Sequence, residues 1–143
     1  MSSLVIIEKE FYINLFNNGI YRGVTLMDKE LEERLDFIEY RQELLFDNSS
    51  FSRLMFDYKV TRNQYRALMD LFEEYREVID KGEAVRSSRY EARIGEIIPG
   101  HKHDYHFAEF IAKILHEEGR FEEVFEALYG DSPKFQNYLQ NNS

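Results

Sequence analysis

Residues 60–82 read VTRNQYRALMDLFEEYREVIDKG, and this stretch decides the fold class. Thr61 and Gln64 have the spacing of a capping box, in which the threonine hydroxyl accepts from the Gln64 amide and the glutamine side chain reaches back to the Thr61 amide. Val60 stands before the cap and Tyr65 at the fourth helical position, the pairing of a hydrophobic staple. Tyr65, Leu68, Met69, Phe72, Tyr75 and Ile79 then recur every three or four residues, which places them on one face of an α-helix. Gly82 follows as a residue suited to a left-handed cap.

The same grammar repeats downstream. Ser88 and Glu91 match a capping box ahead of Tyr90, Ile94, Ile97 and Ile98, and Pro99-Gly100 ends that helix because proline cannot donate to a helical ladder. Asp104 is placed to cap a helix that carries Phe107, Phe110, Ile111, Ile114 and Leu115 on its core face as far as Gly119. Phe121, Val124, Phe125 and Leu128 repeat the stripe up to Gly130, which predicts a tight helix pair across a single glycine. Ser132-Pro133, a cap followed by proline at the first helical position, opens a last turn that docks Phe135, Tyr138 and Leu139, with residues 141–143 fraying.

Upstream, residues 47–50 form a polar turn, and Phe51, Leu54, Met55 and Tyr58 predict a short helix behind it. Thr25 and Asp28 match a third capping box, so a helix over residues 27–46 is expected, with Leu31, Leu35, Ile38 and Leu45 as its core stripe and Phe37 and Leu44 widening it. Residues 11–25 read as a weak hairpin around Asn18-Gly19, with a disordered segment as the alternative. A further reading makes residues 1–26 an extension ahead of the native start, because Arg22-Gly23 can be encoded by a purine-rich ribosome-binding sequence three codons before Met27. The expected architecture is all-α: an N-terminal extension over residues 1–26 and a single helical domain over residues 27–143. That domain is a compact multihelical bundle of about five to seven helices, with intertwining in an oligomer as one arrangement.

Composition narrows the function classes. With 43% hydrophobic and 15% aromatic residues the chain carries enough apolar material for a packed interior, and only 2 Pro and 7 Gly argue against many strand turns. The absence of cysteine excludes disulfides, thiolate metal sites and cysteine nucleophiles. The net charge of -9 opposes binding to a phosphate backbone. Residues 4–7 are too short an apolar run for a signal-peptide core and no later run approaches a membrane span, so a cytoplasmic location is expected.

The segments LEERLDFIEY (31–40), FSRLMFDYKVT (51–61), RALMDLFEEYREVIDKG (66–82) and EEGRFEEVFEAL (117–128) resemble, in the same order, segments of the YhaI-like family of small uncharacterised proteins from Bacillus and related bacteria. The resemblance runs over residues 29–128 and is one of pattern more than identity; residues 1–26 depart from it. It implies a multihelical fold that can intertwine as a homo-oligomer. It brings no established activity and no catalytic residues.

One cluster invites a chemical reading. His101, His103, Asp104 and His106 are followed by Glu109 and, further along the same helix, His116, and imidazole with carboxylate suits zinc and similar ions. His106 and Glu109 share a helix face at i and i+3, so His103, His106 and Glu109 are the candidate metal ligands; a solvated linker with capping roles is the competing reading. The carboxylate pairs Glu32-Glu33, Glu73-Glu74, Glu117-Glu118 and Glu122-Glu123 read as solvated helix faces, which do not tune a pKa for catalysis. Arg86, Arg89 and Arg93, with Tyr90 among them, suit an acidic partner or local ion pairs with Glu83, Glu91 and Glu96. No phosphate-cradling glycine loop and no G-x-S-x-G elbow is present. The expectation is a non-enzymatic module for protein-protein interaction, without a cofactor, forming a homo-oligomer and able to bind a protein partner. The alternatives are a metal-dependent enzyme using the 101–106 cluster and an acidic regulator or inhibitor that mimics nucleic acid.

Overall fold

The computed structural model describes residues 20–142, with side chains from residue 26 onward. Among the described residues there are seven α-helices, two 3-10 turns and no strand. The helices are α1 (Ile20–Asp47), α2 (Ser50–Asp57), α3 (Arg62–Asp80), α4 (Ser87–Ile97), α5 (Tyr105–Glu117), α6 (Glu122–Tyr129) and α7 (Gln136–Asn141). The 3-10 turns are Pro99–His101 and Pro133–Phe135. None of the described helices is long and apolar enough to cross a membrane. By internal contacts the chain divides into Met1–Arg41 and Gln42–Ser143, and each unit is described by itself.

In the first unit, α1 begins well before the expected residue 27 and runs without a break through residues 26 and 27. Thr25 therefore lies inside the helix rather than ahead of its first turn, and residues 20–25, expected as a hairpin strand, are helical. The remainder of the hairpin reading, residues 11–19, lies outside the described residues. A second correction concerns the stripe. Tyr40 is buried and Phe37 half-buried, whereas Leu31, Leu35 and Ile38, expected in the core, are exposed.

The second unit is built from the caps inward. Thr61 and Gln64 form the complete capping box of α3, with the Gln64 amide donating to Thr61 Oγ1 at 3.2 Å and the Thr61 amide donating to Gln64 Oε1 at 2.9 Å. Gly82 takes φ +75°, and the Glu83 amide reaches back to the Val78 carbonyl at 3.1 Å, closing the end of α3. Ser49 caps α2 by accepting from the Ser52 amide at 3.0 Å. The Phe51 amide donates to Glu118 Oε1 at 2.8 Å, a cap supplied from across the sequence. The expected box on α4 is absent: Arg86 is its N-cap without a side-chain bond, and Glu91 instead accepts from the Tyr129 hydroxyl at 3.2 Å.

α3 packs on α4 and α6, and α5 packs on α2, α4 and α6. Their shared interior holds Phe51, Met55, Leu68, Phe72, Tyr90, Ile111, Leu115 and Phe125. Tyr90 is at its centre, with the rings of Phe72, Tyr75 and Tyr129 at 5.7, 5.8 and 6.3 Å and its hydroxyl donating to the Ala108 carbonyl at 2.9 Å. Burial pushes the Tyr90 phenol well above its usual range, so it remains a donor. Between α5 and α6 the chain turns by left-handed backbone at both Gly119 (φ +69°) and Phe121 (φ +52°). Gly130, which ends α6 as expected, has helical backbone (φ −57°). Phe110 and Leu45, both expected in the core, are 46% and 56% exposed.

Candidate functional site

The histidines do not converge. His101 Nδ1 lies 3.1 Å from Asp104 Oδ2, and its ring stacks on Phe107 at 3.9 Å with the Tyr58 edge at 4.8 Å. Asp104 also accepts from the Phe107 amide at 3.1 Å, the N-cap bond of α5. The His101 bond first, and then the Phe107 amide, hold the Asp104 carboxyl below the usual aspartate value. This pair therefore builds a helix start. The capping role was legible in the sequence because Asp ahead of an apolar run is a local signal.

His106, Glu109 and Lys134 border an open cleft of ≈ 460 Å³ floored by Phe107 and Phe135. His106 Nδ1 is 3.6 Å from Glu109 Oε2, but Lys134 Nζ bonds the same carboxylate and lies 3.5 Å from His106 Nδ1. An ammonium thus stands where a cation bound by His106 and Glu109 would sit. His103, at φ +67°, borders a different cavity with Glu91, Glu96 and Lys102. The structure brings His106 and Glu109 together and leaves His103 apart. Among the described residues no group of three or more His, Cys, Asp or Glu is arranged to hold a metal ion.

His116 was passed over in the sequence as a residue further along the helix. It is buried on α5, its Nδ1 is 2.8 Å from the Tyr138 hydroxyl and its Nε2 is 3.5 Å from Glu126 Oε1. Only the folded contact, 22 residues away in the chain, reveals that it ties α7 to α5.

Of the arginine group, Arg93 is spent in ion pairs. Arg93 forms a bidentate pair with Glu74, at 3.2 and 3.0 Å, and lies 3.7 Å from Glu96. Arg86 and Arg89 border a second cleft of ≈ 500 Å³ with Tyr75, Val78 and Ser88. Of the carboxylate pairs, Glu118 caps α2, Glu74 binds Arg93, and Glu123 accepts from Arg76 Nε at 2.5 Å. Each serves packing or capping.

Among the described residues, exposed large apolar side chains gather on α1. Leu31, Leu35 and Ile38 of α1 are 55%, 51% and 52% exposed, and Met27, a turn earlier, is 71% exposed. No family model, no curated protein and no solved structure matches this chain. The candidate site therefore rests on geometry alone, and the exposed face of α1 is its strongest feature. Sequence reading assigned this stripe to the core because periodicity reports which residues share a face and is silent on whether the chain itself covers it.

Proposed function

We propose that this protein is a non-enzymatic helical interaction module of the cytoplasm, acting by binding protein through an apolar helix face. The observation that carries the reading is the exposure of Leu31, Leu35 and Ile38 along one stretch of α1. Covering what remains accessible on each of these side chains stabilises a complex by on the order of 1 kcal/mol. Large apolar side chains scattered singly on a surface need no explanation, but three in succession along one helix stripe mark an interaction surface. The cleft at His106 supports the same reading by contrast, since of its two carboxylates Glu109 is paired with Lys134 and Asp104 is engaged by His101 and the Phe107 amide. A proposed kinship with the YhaI-like family, drawn from the segment pattern, is in keeping with a self-associating helical protein and adds no reaction.

The test is crosslinking in cells that express the tagged full chain. Wild type is expected to form stable crosslinked assemblies that the Leu31→Asp/Leu35→Asp variant loses and the His106→Ala/Glu109→Gln variant keeps. Assemblies indifferent to the α1 changes and lost with the cleft changes would overturn the reading in favour of the cleft.

A further inference from the structure

Resting on that reading, we infer that the occupant of the α1 face is a second copy of this chain, with its α1 parallel and in register. Leu31 and Ile38 stand one heptad apart with Leu35 between them, the alternation of a coiled-coil seam. On the same helix Tyr40 is buried and Phe37 and Arg41 are half-buried. At 3.6 residues per turn Phe37 and Tyr40 lie about 160° around the helix from the Leu31, Leu35 and Ile38 seam, and Arg41, one heptad after Arg34, stands between the two faces. The seam is a separate apolar face rather than the margin of the covered one.

Charge selects the occupant and its direction. Arg34 borders the seam on one edge, at the g position, and Glu32 and Glu39 border it on the other, at e positions; all three are exposed. In a parallel pair the g residue of one helix faces the e residue of the next heptad on the other. Arg34 of each copy therefore meets Glu39 of its neighbour, twice by symmetry. In an antiparallel pair g faces g and e faces e, which sets arginine near arginine and glutamate near glutamate. The face is thus complementary to itself in one orientation, as a self-associating surface must be.

The chain has no cysteine, so one introduced thiol reports the geometry without background. The purified full chain is expected to sediment as an oligomer at micromolar concentration, and Ile38→Cys to oxidise to a linked dimer while Glu33→Cys, on the far side of the helix, does not. Leu31→Asp/Leu35→Asp, with helicity checked by circular dichroism, is expected to weaken association roughly a hundredfold or more. Arg34→Glu is expected to weaken it about tenfold, and Arg34→Glu/Glu39→Arg to restore it. Linkage at Glu33→Cys as readily as at Ile38→Cys, or no rescue by the charge exchange, would overturn the parallel pairing. A monomeric wild type would overturn self-association, including the case in which residues 1–19 of the same chain cover the seam. If that monomer still forms α1-dependent assemblies with other proteins in cells, the interaction-module reading stands without this inference; if it forms none, both fall.

Discussion

Asp104 shows how one side chain can be read for both structure and pH response. Its carboxylate holds His101 and the first turn of α5 at once, and those two bonds, His101 first, lower its affinity for a proton. Asp47 follows the same logic, held down by the Ser52 hydroxyl first and then by that of Ser49. A carboxylate depressed in the folded state binds fewer protons than in the unfolded chain, so its contribution is present above the ordinary aspartate value of about 4 and is lost as pH falls through the depressed one. Asp104→Asn keeps an acceptor for the Phe107 amide but removes the charge, and the side chain is 44% exposed, so the effect is modest. Urea unfolding across an acidic pH series is expected to show a shallower loss of stability in Asp104→Asn than in wild type. Identical slopes would mean that the carboxylate charge contributes nothing to folding.

At the level of elements, α3 and α5 were the most legible parts of the fold, and for one reason: their caps are made by residues within three positions of the helix start. Thr61→Ala removes the acceptor for the Gln64 amide and should cost about 1 kcal/mol, measured by denaturant midpoint with unchanged slope. Gln64→Ala removes only the reciprocal bond and should cost less. Where a distant residue competes, local reading failed. Ser88 and Glu91 have the spacing of a cap, yet Glu91 turns to Tyr129, 38 residues away, and burial raises its carboxyl above the ordinary value. Thr25 and Asp28 have the same spacing inside a helix that had already begun. On α1 the period was right and the face was wrong. Two apolar stripes share that helix, and only Tyr40 and Leu44 among the expected and observed apolar positions after residue 38 are buried. Around the histidines, sequence spacing put His106 and Glu109 on one helix face but could not see Lys134 arriving from 25 residues downstream, and on α1 it found the stripe but not its exposure.

For the molecule as a whole, an apolar face that a second copy covers couples folding to concentration. If copies associate only when α1 is folded, mass action draws the equilibrium toward the folded, assembled form. A tenfold rise in concentration then adds about 1.4 kcal/mol to the stability of a dimer. Shared between two chains of this size, that raises the unfolding midpoint by about 2–5 °C. The net charge of -9 works against any non-specific approach of copies, so a gain of this kind has to come from a defined contact. Thermal unfolding followed by circular dichroism over a hundredfold range of concentration is therefore expected to give a rising midpoint for wild type and a constant one for Leu31→Asp/Leu35→Asp. At the dilute end, where wild type too is monomeric, the two curves should differ only by the lower helix propensity of aspartate, about 1 kcal/mol for the two positions. A variant less stable than that by several kcal/mol at the lowest concentration would instead place Leu31 and Leu35 in the chain's own core, and the exposed face would lose its claim to be the site.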